Sequence, residues 1–167
     1  MFTRSSTSQW PRSRVRAFTL VEISVVVTLL GLLIAIGVPT YRRLTLKSKA
    51  TATISDLRTF SATFVTYNLQ QAKWPDATGN AGEVPPELAN ALPAAFTHPT
   101  PIGGYYEWLK DSMYGKAAIS ISTANGSIAT DDAELVAMID ELMDDGNPAT
   151  GSIQIGATNN VVLIIEK

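Results

Sequence analysis

The sequence predicts an α+β protein in which a long N-terminal helix lies against a small C-terminal antiparallel β-sheet. Three observations carry this. Residues 18–38 form an apolar block of 21 residues with a single charged side chain, Glu22. Beyond it, apolar residues recur at three- and four-residue spacing as far as Gln71. The last third of the chain holds short β-branched and aromatic runs separated by Gly and Asn turns. The 3.6-residue period belongs to helices and the alternating period to strands.

Residues 1–17 come first in the argument. They hold Arg4, Arg12, Arg14 and Arg16 and no acid. The block that follows is long enough to cross a hydrocarbon core of about 30 Å as a helix. The arginine cluster before it outweighs Arg42 and Arg43 after it, which predicts a cytoplasmic N-terminus and a single membrane pass. A secretory signal peptide fits poorly, because the apolar run is long and Pro39-Thr40-Tyr41-Arg42-Arg43 is not a small-residue cut site. A plain signal anchor accounts for the length and the arginines but not for Glu22.

An acid inside a spanning helix is costly unless paired, which makes it a functional candidate. Cutting the chain between Ala17 and Phe18 creates an α-amino group at Phe18. That amine reaches its own Glu22 only by bending the helix, whereas the amine of an axially shifted second copy can pair with it. The alternative is a carboxyl that snorkels to the interface or stays protonated.

The run Arg16-Ala17-Phe18-Thr19-Leu20-Val21-Glu22 resembles the prepilin peptidase site of type IV pilins and type II secretion pseudopilins. The resemblance covers residues 14–43. It implies a basic leader, residues 1–17, removed between Ala17 and Phe18, N-methylation of Phe18, and Glu22 at the fifth mature position. It also implies a kink-forming proline, matched by Pro39, and a pilin fold. Alanine, the nearest small substitute, stands at position 17 where the family has glycine, so cleavage is expected to be kept. The partners implied are a homo-oligomeric filament, prepilin peptidase, an inner-membrane assembly platform with a separate ATPase motor, and membrane lipid before assembly. The location implied is the bacterial inner membrane, then the filament.

Pro39 lacks an amide hydrogen, which predicts either a kink or a segment that melts on assembly around Gly37-Val38-Pro39. From 39 to 71 the helix resumes as an amphipathic continuation. Ala50, Ile54, Leu57, Phe60, Phe64 and Tyr67 form its apolar stripe, with Lys47, Lys49, Asp56 and Arg58 interleaved. Residues 72–167 form the head. Its connector, 72–104, is rich in Pro, Gly and Ala, with a short helical turn expected at 86–92.

Strands are expected at 105–109 and 117–123, and Asn125-Gly126 signals a type I′ turn before Ser127-Ile128. Residues 131–143 have helical spacing, with Asp131 as the expected N-cap. Residues 153–155 and 161–165 predict a terminal hairpin around a turn at 156–160.

The chemistry is sparse. The chain has one histidine, His98, and no cysteine, which removes His-based zinc sites and cysteine nucleophiles. No Gly-rich phosphate loop is present, and no catalytic constellation stands out, so no enzyme is expected. Without residues 1–17 the chain holds nine bases against 15 acids, a net of −6. An acidic body argues against nucleic acid as a partner. Trp74, Tyr105, Tyr106 and Trp108 read as core more readily than as a binding platform.

Asp140, Asp144, Asp145 and Asn147 offer oxygen ligands at a spacing that matches no EF-hand. Calcium is one reading, suggested by the resemblance to major pseudopilins. An acidic helix face running into a turn is the simpler one. For function, the expectation is a structural filament subunit. The alternatives are a minor pilin acting as a priming or ligand-binding tip subunit, and an enzyme or receptor domain on an ordinary signal anchor.

Overall fold

The computed structural model describes residues 18–156 and 160–167. Helix α1 runs from Leu20 to Gln71 and contains Pro39. Two 3₁₀ turns follow, Pro86–Leu88 and Ala94–Thr97. Then come β1 (Tyr105–Ser112), β2 (Gly115–Ser122), α2 (Ala133–Met143), β3 (Ile153–Ile155) and β4 (Val161–Glu166). By internal contacts the chain divides after Tyr41 into two compact units.

In the first unit, described from Phe18, every residue is exposed. Its polar side chains turn back onto the helix. Ser24 Oγ donates to the Val21 carbonyl and Thr28 Oγ1 to that of Ser24, each at 2.8 Å. Thr40 Oγ1 donates to the Ile36 carbonyl at 2.9 Å. Helical structure persists on both sides of Pro39.

In the second unit, α1 buries Leu46, Ala50, Thr53, Ile54, Leu57, Phe60 and Phe64. This is the expected stripe, extended one turn back to Leu46. It covers one face of a four-stranded antiparallel sheet of order β1-β2-β4-β3. The inward side chains alternate along the strands: Tyr106 and Trp108 on β1, Ile119 and Ile121 on β2, Leu163 on β4.

The aromatic residues at this junction lock it. Phe64 stacks on Trp108 with centroids 3.8 Å apart, and Phe60 meets Tyr106 edge-on at 4.8 Å. Such pairs add about 1 kcal/mol each beyond the area they bury. Trp108 Nε1 donates to the Pro75 carbonyl at 2.9 Å, Trp74 Nε1 to Glu166 at 2.7 Å, and Tyr106 Oη to Asp56 at 3.0 Å. Trp108 and Tyr106 are therefore core, and their polar tips tie the connector and α1 to the sheet.

Four expectations need correction. The N-cap of α2 is Asp132, whose carboxylate accepts from the Glu134 and Leu135 amides; Asp131 lies outside the helix. The Asn125-Gly126 turn forms, with both residues at positive φ (49° and 78°), but closes only an isolated bridge between Ala124 and Ser127. The hairpin partner of β2 is β1, entered through Met113-Tyr114. Its path needs Gly104, since at φ 74° a Cβ there would lie 2.7 Å from the Ser122 carbonyl oxygen. The strand 105–109 runs on to Ser112, and a second 3₁₀ turn appears at Ala94–Thr97.

Candidate functional site

Two regions carry the residues singled out from the sequence. The first is the start of α1. Ala17 lies outside the described residues. Phe18 is exposed. Thr19 caps the helix: its Oγ1 accepts from the Glu22 amide at 3.1 Å and its carbonyl from the Ile23 amide at 3.2 Å.

Thr19-Leu20-Val21-Glu22 therefore has the spacing of a capping box, a signal present in the sequence itself. Glu22 stands in the first turn of the helix, where the unpaired amides and the helix dipole favour a negative charge. Part of the cost assigned to Glu22 is thus met locally. Its carboxylate still has no cationic partner within 4.0 Å among the described residues. The helix that bears it contains a window of mean hydropathy 2.5, long and apolar enough to cross a membrane, and none of that window is buried.

The second region is the C-terminal end of α2. Ligand atoms of Asp140, Asp144 and Asp145 lie within 4.8 Å of one another. Asp140 is 0% exposed, and neither of its carboxylate oxygens has a hydrogen-bond partner among the described residues. Burial raises its pKa, and Asp145 and Asp144 push it further up; the Gly146 amide, nearby but outside hydrogen-bond geometry, pulls the other way.

The neighbouring acids are partly committed. Asp144 accepts from the Ile153 amide at 3.0 Å and from the Ser152 amide. Asp145 accepts from the Asn147 amide at 2.9 Å and the Thr150 hydroxyl at 2.8 Å, which hold its pKa down. Asn147 Oδ1 accepts from the Ala149 amide at 3.2 Å. Of the predicted calcium quartet, Asp140, Asp144 and Asp145 converge.

A cation fits this set on one observation: Asp140 presents two buried oxygens with nothing to accept from, beside two further carboxylates. A divalent ion would satisfy them and cancel the repulsion, and Ca²⁺ accepts all-oxygen ligands in flexible geometry. The fourth and later ligands would come from backbone carbonyls or water.

No protein-family model matches the chain, and no curated protein matches it.

Proposed function

We propose that the chain is a structural subunit of a membrane-rooted filament, a pseudopilin of a type II secretion system or a closely related type IV pilus. Prepilin peptidase cuts between Ala17 and Phe18, and Phe18 becomes the methylated N-terminus. Residues 18–38 hold the subunit in the inner membrane and then pack against copies of themselves. An assembly platform and a separate ATPase motor drive this step, since the chain has no phosphate loop of its own. The role is structural, with no enzyme activity and no nucleic-acid partner.

One observation supports this reading above the others. Glu22 is the fifth residue after the Ala17-Phe18 junction, in an exposed apolar helix, without a cationic partner among the described residues. In an assembly, the Phe18 amine of an adjacent copy supplies the counter-charge, and burial between helices strengthens that pair. The N-cap bond from Thr19 sets the first turn of the helix that carries Glu22.

Two measurements test it. Mass spectrometry of the mature chain should give a start at methylated Phe18; a retained arginine-rich start rejects the reading. Glu22→Ala should insert and be processed but yield few filaments, because the capping hydroxyl of Thr19 survives while the intermolecular pair is lost. Normal filament yield would remove the pairing mechanism.

Calcium at Asp140, Asp144 and Asp145 is a second element of the proposal, carried by the orphaned Asp140 oxygens. It would fasten the end of α2 to the segment leading into β3. A minor subunit at the filament tip is the alternative role, and low abundance in sheared filaments would favour it.

A further inference from the structure

The bases of the head unit are segregated. Residues 42–49 hold Arg42, Arg43, Lys47 and Lys49 and no acid, whereas residues 50–167 hold five bases and 14 acids, a net of −9. All four basic side chains are exposed. Arg42 is engaged: its guanidinium lies 3.6 Å from Asp132 and 3.7 Å from Glu134, at the capped start of α2. Arg43, Lys47 and Lys49 have no carboxylate within 4.0 Å among the described residues.

Arg58, Lys73 and Lys167 also lack an ion pair among the described residues but are scattered, whereas these three bases cluster within residues 43–49. They begin five residues past Val38, where the segment able to cross a membrane ends. Helical side chains tilt toward the helix N-terminus, so Arg43 and Lys47 lean toward that segment. Long basic side chains there reach an interface while their stems stay on the helix.

We propose that Arg43, Lys47 and Lys49 form a binding surface for the headgroups of anionic phospholipids. The occupant matches in charge and in place. An anionic surface attracts this basic collar beside a span and repels the acidic remainder of the head. Arg42 takes no part, because Asp132 and Glu134 already neutralise it. The inference rests on residues 18–38 entering a bilayer, but not on filament assembly.

The test uses the full chain reconstituted in vesicles of phosphatidylcholine, or of phosphatidylcholine and phosphatidylglycerol in equal parts. Spin-labelled lipids report the relative association of each headgroup with the protein. A base within a Debye length of the surface contributes up to about fivefold. Arg43 is near and the lysines farther, so the triple variant Arg43→Gln/Lys47→Gln/Lys49→Gln should lose roughly tenfold of the preference for phosphatidylglycerol. The arginines of residues 1–17 are common to both proteins and cancel in the difference. Arg42→Gln should keep the wild-type preference, and high salt should abolish the difference.

Equal preference in wild type and triple variant overturns the proposal, as does an Arg42→Gln variant that loses as much. Altered self-association in pure phosphatidylcholine, with lipid preference unchanged, assigns the surface to a second copy and also overturns it. Failure of the chain to insert in either vesicle rejects the membrane reading itself; insertion without headgroup preference rejects only the collar.

Discussion

Replacing Asp140 with asparagine should stabilise the metal-free protein and abolish its response to calcium. Asp140 makes no hydrogen bond that asparagine would lose. The substitution removes one of three negative charges whose ligand atoms fall within 4.8 Å. At that separation and an effective dielectric of about 20, two unit charges repel by about 3.5 kcal/mol. Asp144 is half-buried, so solvent screening reduces the gain to about 2 kcal/mol. For a head of this size that corresponds to a rise of about 8 °C in Tm.

Calcium reverses the order. At a hundredfold excess over Kd it would stabilise the wild type by about 2.7 kcal/mol and the variant by much less. The pH dependence has a definite sign. The Asp140 pKa is raised in the folded state. The folded protein therefore holds a proton that the unfolded chain has released, and stability falls as pH rises from the ordinary carboxylate pKa through the raised one. The variant lacks this loss. Melting curves by circular dichroism in detergent, with chelator and with calcium, measure all three effects. Destabilisation of Asp140→Asn in chelator, or a calcium shift equal to that of the wild type, would refute the reasoning.

Thr53 is fully buried and its hydroxyl has no partner among the described residues, so Thr53→Val should raise stability by about 1 kcal/mol, since an unsatisfied buried hydroxyl costs that much or more; chemical denaturation should show a higher midpoint at unchanged slope. Glu166 accepts from Lys116 and Trp74, each at 2.7 Å, and Lys116 first, then Trp74, hold its pKa below the usual carboxylate value. Its contribution is complete above the ordinary carboxylate pKa and is lost as pH falls through the depressed one. Melting temperatures of Glu166→Gln should accordingly fall less steeply on acidification than those of the wild type, and parallel curves would remove that role.

What could be read in the sequence was local. The switch from an all-apolar block to a three-and-four spacing marks where α1 leaves its exposed segment and starts to bury Leu46 and Ala50, because a helix writes its environment into consecutive turns. The C-terminal hairpin and α2 were legible for the same reason. So was the Thr19-to-Glu22 capping spacing, which sits beside the more conspicuous charge at Glu22. The convergence of Asp140, Asp144 and Asp145 was half legible, since residues four and five apart share one end of a helix.

Tertiary structure decided the rest. It inserted β4 between β2 and β3, a pairing between segments about 40 residues apart along the chain that no short-range signal encodes. It chose Asp132 over Asp131 as the cap, because the carboxylate at position 132 meets the Glu134 amide and also Arg42 from α1. It sealed Asp140 from solvent while leaving its oxygens unpaired. Burial and pairing depend on which distant surfaces close over a side chain, and one-dimensional spacing carries no record of that.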